Sequence, residues 1–293
     1  MRTAIRKFGL EIVAILLFLV YMIPFFIILI NAAKPTLDVI TNPLSLPQNP
    51  FQLFENVWAV LTSDTVRYVP SFISSVIITV TSVGLLVLIT SMAAWVLVRT
   101  KTKTSSFIFM MFVAAIIIPF QVVMFPLISW FRMIETVTGL GTFLGGFFRL
   151  LRNYPGIIFA YMGFGSSLSI FLYHGFIKGI PLELEEAAII DGCSKPAVFF
   201  RIIFPILKPI TVTVIILNGI WIWNDYLLPL MLLGAGNNVQ TVPLAVANFV
   251  GSFVRRWDLI LTSALMAMLP IIIVFLFLQK YIIKGMVEGS VKG

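Results

Sequence analysis

Cysteine and histidine are nearly absent from this chain. Its 293 residues include one cysteine, Cys193, and one histidine, His174. An internal disulfide and a zinc site built from several thiolates are therefore excluded. A lone histidine offers no proton relay, so a structural or interfacial role is expected for His174. The sequence predicts no catalytic residue and no metal site.

Two motifs for nucleotide and metal chemistry are also missing. The sequence contains neither the phosphate loop G-x-x-x-x-G-K-[ST] nor the zinc motif H-E-x-x-H. If ATP drives the function of this chain, another polypeptide must bind it. An intramembrane enzyme is a poor alternative, because it needs converging His, Asp or Cys side chains at membrane depth.

Charged residues are scarce as well. Lys, Arg, Asp and Glu make up 11% of the chain and hydrophobic residues 60%, whereas about 25% of a soluble domain is charged. Runs of about 20 apolar residues, enough to cross a bilayer as a helix, recur along the sequence. Because these runs are continuous and do not alternate with polar residues, they favour membrane-spanning helices over a closed barrel.

Six apolar runs are predicted to span the membrane. They cover 10–31, 70–98, 106–130, 156–178, 207–231 and 259–282. The first follows three basic residues, as a signal peptide does, but its apolar core from 8 to 30 exceeds the roughly 7–15 residues of such a segment, and we expect it to be retained. The expected fold class is an all-α membrane protein, a single domain over 1–293 built as a bundle of about six transmembrane helices.

The 20 Lys and Arg residues are divided unevenly between the two sides of this topology. On the side of the termini are thirteen: Arg2, Arg6, Lys7, Arg99, Lys101, Lys103, Lys178, Lys195, Arg201, Lys208, Lys280, Lys284 and Lys292. On the other side are seven: Lys34, Arg67, Arg132, Arg149, Arg152, Arg255 and Arg256. By the positive-inside rule, both termini are predicted to be cytoplasmic. The same bias accounts for the net charge of +8 without nucleic acid.

The connectors between the spans differ in character. The external ones are 33–69, 132–155 and 232–258, and a short cytoplasmic one is 99–105. The first is rich in proline, and its stretch 51–58 suits a short surface helix. The second, with Arg149 and Arg152 among aromatic residues, suits an amphipathic helix at the outer interface. The third is expected to fold partly back into the membrane, and 99–105 is predicted to be a tight turn.

The second cytoplasmic connector, 181–208, is a polar island between two spans. Pro181 suits a helix start, and the three glutamates of 183–186 place negative charge where it complements the helix dipole. Gly192 can take the left-handed conformation that ends a helix, and Ser194 suits the N-cap of the next one. This pattern predicts a short helix, a sharp bend and a second helix. Two interpretations are open: a docking element for another protein, or a solvated surface helix.

Part of this connector resembles a known signature. Glu186-Ala187-Ala188, followed by Gly192 and then by Ile202-Ile203-Phe204-Pro205, is similar to the EAA motif of bacterial ABC-importer membrane subunits. The motif usually has leucine where this chain has Phe204, a change between apolar residues. Asp191-Gly192, with Leu184-Glu185 upstream, resembles more specifically the carbohydrate-uptake branch of that family.

Three further segments resemble the same branch. They are 221–227 (Trp-Ile-Trp-Asn-Asp-Tyr-Leu), 241–248 (Thr-Val-Pro-Leu-Ala-Val-Ala-Asn) and the C-terminal 279–293. The likeness covers nearly the whole chain and is to the second of two permease subunits, the one similar to the smaller maltose-system permease. The chain departs from the family over 139–161, which is longer here than in its relatives.

This resemblance implies a type I ABC-importer permease fold and a set of partners. The coupling residues it implies, in a helix seated in a partner ATPase, are Glu183, Glu186, Ala187, Ala188, Asp191, Gly192 and Pro205. A cytoplasmic tail over 285–293 would touch the ATPase dimer through Gly289, Ser290 and Val291. The implied partners are a homologous permease, two cytoplasmic ATPase subunits that bind ATP and Mg²⁺, and an extracytoplasmic solute-binding protein. The implied location is the cytoplasmic membrane of a bacterium or archaeon.

Polar and aromatic residues within the spans are candidates for the substrate path. They are Gln121, Asn218, Trp221, Trp223, Asn224 and Asp225. Polar groups at membrane depth are costly and suggest function, and aromatic rings beside amides and carboxylates suit a sugar, which has hydroxyls and apolar ring faces. The alternative is structural, because Asn and Gln often form hydrogen bonds between helices and tryptophan is enriched at membrane interfaces.

The expected function is import of an oligosaccharide or a related sugar or polyol by alternating access, coupled to the ATPases through the EAA helix. Two other transporters stay open. The EAA signature is shared across substrates, so an ABC importer of a non-sugar solute is one of them. The other is an ion-coupled secondary transporter, which usually needs a carboxylate or a broken helix in mid-span, and Asp225 is its sole candidate.

Overall fold

The computed structural model describes residues 2–64, 67–139, 149–234, 237–252 and 256–290, and its regular elements in these ranges are helices. They are α1 (Arg2–Ala32), α2 (Thr36–Thr41), α3 (Gln52–Leu61), α4 (Tyr68–Arg99), α5 (Lys103–Ile116), α6 (Phe120–Thr138), α7 (Tyr154–Ile177), α8 (Glu183–Ile190), α9 (Lys195–Val198), α10 (Phe204–Ile206), α11 (Lys208–Asn224), α12 (Leu227–Leu232), α13 (Val242–Ser252) and α14 (Trp257–Ser290). A π-helix, Phe199–Ile203, joins α9 to α10.

Within the residues that the structure describes, five helices are long and apolar enough to cross a membrane. They are Lys7–Ala32 within α1, then α4, α6 and α7, and Trp257–Phe277 within α14. Two further segments, Lys195–Ile206 and α11, pass the same test only when taken together, and they meet at a bend of 75°. Pro209 contributes to the bend, because proline has no N–H to continue the helical hydrogen bonds. Counted as one span, the bent pair brings the total to six, as predicted.

The predicted span 106–130 is wrong in its limits. The chain forms two helices there, α5 and α6, with a break at 117–119. Pro119 cannot donate a backbone hydrogen bond, and the amides just before it bond to carbonyl oxygens three residues back, which closes α5. At 14 residues, α5 is shorter than a span requires. The 19-residue α6 meets that length instead.

Two other predicted limits also differ from the structure. The fifth span was expected to run to 231, but α11 ends at Asn224 because Asp225 has an extended backbone, with φ −72° and ψ 127°. Arg99 was assigned to a turn over 99–105. It is instead the last residue of α4, and the turn to α5 is reduced to 100–102.

Two groups of helices each pack internally: Met1–Val69 with Ala245–Pro270, and Pro70–Leu244 with Ile271–Gly293. In the first group, the predicted surface helix of connector 33–69 is confirmed as α3. Asn56 of α3 donates to the carbonyl oxygens of Ala32 at 2.9 Å and Lys34 at 3.1 Å, which holds α3 against the end of α1. The Lys34 ammonium is buried and donates to three oxygen atoms at 2.9 to 3.2 Å. Those bonds offset the cost of burying its charge.

The second group is centred on α7. Its residues Ile157, Tyr161, Ile170, Tyr173 and Ile177 are at most 2% exposed. A Cβ atom added at Gly165 would lie 2.6 Å from Leu86 Cδ1 and 2.7 Å from Asn218 Oδ1. Glycine at this position therefore lets α4 and α11 approach α7 closely, and Asn218 uses that proximity to donate to Ser169 at 3.0 Å.

Candidate functional site

The connector 181–208 folds in the predicted order, as a short helix, a bend and a second helical segment. α8 covers Glu183–Ile190 and carries its three glutamates in the first turn, where negative charge complements the helix dipole. The helix begins two residues after Pro181. A short helix of eight residues is marginal in isolation, so its position depends on what it contacts.

Gly192 makes the bend. Its φ of +85° lies in the left-handed region, as predicted. The amides of Gly192 and Cys193 donate to the carbonyl oxygens of Ile189 at 3.0 Å and Ala188 at 2.9 Å, which gives hydrogen-bond partners to carbonyl groups in the last turn of α8. An added Cβ would meet no atom within 4 Å, so the backbone conformation, not space, favours glycine. Ser194 occupies the next N-cap position with an extended backbone, although its hydroxyl makes no capping bond.

Most of the predicted coupling residues are exposed. Exposed are Glu183, Glu186, Ala187, Asp191, Gly192 and Pro205. Ala188 differs from Ala187, since it is 5% exposed and belongs to the core cluster of its own chain. Close approach by a partner at the alanine pair is therefore possible at Ala187 only.

Large apolar side chains share this exposed surface. Leu184, Ile189 and Ile190 are 45%, 52% and 85% exposed. We call the exposed residues Glu183, Leu184, Glu186, Ala187, Ile189, Ile190, Asp191 and Gly192 the α8 surface. An apolar patch rimmed by charged residues is typical of a protein-binding site. The apolar part of this surface was not predicted from the sequence, although the adjacent Ile189 and Ile190 at the end of a charged helix indicated it.

Glu185 is the exception among the glutamates. It is 5% exposed, and its carboxylate accepts from Arg99 Nε at 2.7 Å and from Trp95 Nε1 at 3.0 Å. Arg99 also donates to the carbonyl oxygen of Ile180 at 3.1 Å. From the sequence, Glu185 was assigned to the helix dipole and to the family resemblance, and Arg99 to the basic residues of the cytoplasmic side, but no contact between them was predicted. The sequence pattern that could have indicated burial of Glu185 is its spacing of three residues from Ala188, because residues at i and i+3 share one helix face.

A cavity of about 660 Å³ lies in the second helix group, where α5, α6, α7 and α11 meet. Gln121, Asn218 and Trp221 line it, together with Phe120, Phe159, Phe164 and Ser167. Trp221 packs edge-on against Phe120, with ring centroids 5.8 Å apart. Aromatic walls with a few polar groups are the usual lining of a small-molecule site. The structure therefore brings three of the six predicted path residues together.

The other three predicted path residues do not line this cavity. The ring of Trp223 packs edge-on against Phe72 at 5.7 Å. Asn224 is exposed and donates to its own helix at Ile220. Asp225 accepts from the Tyr161 hydroxyl and the Leu227 amide, each at 3.0 Å. These contacts hold the end of α11.

Asn218 and His174 each make contacts that stabilise the helix packing. Asn218 donates to Ser169 and to the carbonyl oxygen of Val214, both at 3.0 Å, so its amide group links α11 to α7 while it borders the cavity. The ring of His174 is stacked on Phe109, with centroids 3.6 Å apart, which agrees with the structural role expected of it.

Two predicted regions are described only in part. For connector 132–155, α6 extends to Thr138, and residues 140–148 lie outside the described residues. After these, the amides of Leu150 and Leu151 donate to the Glu135 carboxylate at 2.6 and 2.9 Å. In the tail, Gly289 and Ser290 continue α14, and Val291 lies outside the described residues.

Known proteins resemble this chain over most of its length. A probable starch degradation products transport system permease protein of Thermoanaerobacterium thermosulfurigenes is 38% identical over 98% of each chain. A melibiose/raffinose/stachyose import permease protein of Bacillus subtilis is 36% identical over 93% of this chain and 92% of its own. A multiple sugar-binding transport system permease protein of Streptococcus mutans is 33% identical over 92% of each.

The fold has a counterpart among solved structures. It is the crystal structure of a bacterial ABC transporter involved in the import of the acidic polysaccharide alginate, which matches with a TM-score of 0.71 at 20% identity over 94% of this chain and 96% of its own. The family model of the binding-protein-dependent transport system inner membrane component matches residues 86–288, which include α8, its bend and the cavity. The chain belongs to this family of inner membrane components of binding-protein-dependent transport systems.

Proposed function

We propose that this chain is one transmembrane subunit of an ATP-driven importer of an oligosaccharide or a related sugar or polyol. The family assignment carries the importer part of this proposal. The sugar part is supported by the relatives, whose names give starch degradation products and melibiose, raffinose or stachyose as cargo. An ABC importer of a non-sugar solute is the weaker alternative, because these relatives span more than nine-tenths of the chain.

An ion-coupled transporter is not favoured. Its only sequence candidate, Asp225, is 8% exposed and has both carboxylate oxygens hydrogen-bonded within the protein. It lies outside the cavity lining. A coupling ion would therefore have to displace the Tyr161 hydroxyl or the Leu227 amide to reach it.

The α8 surface is the proposed coupling element. In this mechanism it sits in a groove of a partner ATPase, and closure of two ATPase subunits around ATP and Mg²⁺ moves it and rocks the spans between inward- and outward-facing states. This chain contributes no ATP site. The C-terminal 285–293, with Gly289, Ser290 and Val291, is proposed as a second ATPase contact. This arrangement requires both termini and 181–208 to be cytoplasmic, as the distribution of basic residues predicts.

The complete transporter would contain four kinds of chain. They are this permease, a homologous but different permease, two ATPase subunits and an extracytoplasmic solute-binding protein. A mild-detergent pull-down from the native membrane, with identification of every co-purifying polypeptide, tests this composition. We expect one representative of each kind. Recovery of the chain alone, or only with copies of itself, would refute the importer assignment.

The 660 Å³ cavity is proposed as this subunit's part of the substrate path. Replacing Trp221 with alanine removes an aromatic wall and is expected to raise the half-saturating sugar concentration for uptake roughly tenfold, equivalent to about 1.4 kcal/mol. The matched control is Trp223→Phe, on the same helix but outside the lining, which keeps the aromatic contact with Phe72. Equal effects of the two changes would argue against a path through the cavity.

A further inference from the structure

The attachment of α8 to the rest of its chain rests on very few side chains. Of its eight residues, only Glu185 and Ala188 are buried. Ala188 contributes one methyl group to the core cluster. Glu185 is therefore the only buried polar side chain through which α8 is held. Buried side-chain contact between α8 and the rest of its chain is therefore limited to these two residues, and its backbone continues into the chain at either end.

Both oxygens of the Glu185 carboxylate are engaged. Oε1 accepts from Arg99 Nε at 2.7 Å and lies 2.6 Å from Arg99 Nη2, so the guanidinium contacts it through two nitrogen atoms. Oε2 accepts from Trp95 Nε1 at 3.0 Å. Charge-assisted bonds of this length are stronger than bonds between neutral groups. The side chains of the ion pair are only 20% and 6% exposed, which limits screening by water.

The groups that hold Glu185 come from the end of a membrane span. Trp95 and Arg99 are four residues apart in the last turns of α4 and so share one face. Arg99 Nη2 also donates to the carbonyl oxygen of Ile180, in the link between α7 and α8. The Trp95 ring packs against Phe199 of the π-helix at 5.4 Å. One cluster therefore joins α4, the start of α8 and the segment after the bend.

We propose that Glu185 fixes the coupling helix to the end of α4 through Arg99 and Trp95, and that this contact carries displacement of α8 into the membrane spans. The proposal rests on the proposed function. It divides the glutamates of α8 into two kinds: the side chains of Glu183 and Glu186 are exposed, and that of Glu185 is buried within its own chain. Glu185, Arg99 and Trp95 are thus positioning residues, which touch neither substrate nor nucleotide.

The test uses the complete transporter reconstituted in proteoliposomes. Uptake of radiolabelled maltotriose and of raffinose is measured together with ATP hydrolysis and with the amount of ATPase that co-purifies. The variants are Glu185→Gln, Arg99→Gln and the double variant, with Arg99→Lys as a milder change that keeps the charge but loses the two-nitrogen contact. Lys101→Gln is the control, since it removes an exposed positive charge two residues beyond Arg99.

We expect sugar taken up per ATP hydrolysed to fall at least tenfold in Glu185→Gln and Arg99→Gln, with ATPase still bound. The double variant is expected to lower this ratio no further than either single variant does, because the two groups act as a unit. Arg99→Lys should give an intermediate ratio, and Lys101→Gln the wild-type ratio. A purely structural pair would lower uptake and hydrolysis together and leave their ratio unchanged.

The proposal is overturned if both single variants keep the wild-type ratio, or if the variants, Arg99→Lys included, fail to retain the ATPase. The second result would make the pair an assembly element and not a transmitting one. If the wild-type complex neither hydrolyses ATP nor takes up either sugar, the proposed function fails, whereas a wild-type complex that couples hydrolysis to uptake, with variants of unchanged ratio, overturns this proposal alone.

Discussion

Replacing Gly192 with valine is expected to abolish uptake while the chain stays in the membrane. A β-branched residue is poorly accommodated at φ +85°, and such backbone strain costs about 1–3 kcal/mol. The bend is exposed and is closed by two backbone hydrogen bonds, so relaxing it is easier than unfolding the spans. We therefore expect α8 to change direction relative to the segment that follows it. Membrane fractionation shows whether the chain stays in the membrane, and sugar uptake by the same cells shows whether transport is lost.

Two further variants separate backbone strain from bulk at this position. Gly192→Asn is expected to keep most uptake, because asparagine tolerates the left-handed region and no atom of the chain lies within 4 Å of an added Cβ. Gly179→Val is the matched control at an exposed glycine without a positive φ, and uptake should stay near the wild-type level. Normal uptake by Gly192→Val would contradict the role assigned to the bend. Equal loss in the valine and asparagine variants would show that side-chain bulk matters there.

Reversing the charge of Glu186 with lysine is expected to reduce uptake at least tenfold. Glu183, Glu186 and Asp191 make the exposed α8 surface acidic, and docking surfaces generally meet partners of complementary potential. A lysine in the first turn also opposes the helix dipole. Uptake and ATPase co-purification, measured at low and at raised salt, should show a loss of coupling that depends on ionic strength.

The matched control for Glu186→Lys is Glu55→Lys. Glu55 is likewise exposed in the first turn of a short helix, α3, so the local helix penalty is the same. Because α3 is outside the proposed ATPase surface, uptake should be little changed. An ion-driven carrier would tolerate both substitutions, so unimpaired uptake by Glu186→Lys would restore that alternative.

The two sides of α8 give the coupling helix a simple physical logic. Its outer side offers acidic groups around the exposed apolar residues Leu184, Ile189 and Ile190, which suits burial against another protein. Its inner side offers one carboxylate held by an arginine and a tryptophan. A small helix with one side for a partner and the other fixed to a span can transmit motion without a large core of its own.

Residue chemistry along the chain was enough to predict the membrane class, a bundle of about six spans and the form of the connector 181–208. These features depend on local chemistry: run length against bilayer thickness, charge near a helix N-terminus and the left-handed freedom of Gly192. The limits of the spans were less well predicted. Hydropathy predicted one continuous third span through the break at 117–119, because it takes no account of the N–H that Pro119 lacks.

Which polar residues act together became clear from the packing of the helices. Arg99 and Glu185 are 86 residues apart, and nothing in either local sequence indicates the other. Likewise, Gln121, Asn218 and Trp221 meet at one cavity, while Trp223, Asn224 and Asp225, from the same predicted set, hold the end of α11. Local sequence specifies which groups are polar and on which helix they lie. Which of them meet depends on how the helices cross and how closely small residues such as Gly165 let them approach.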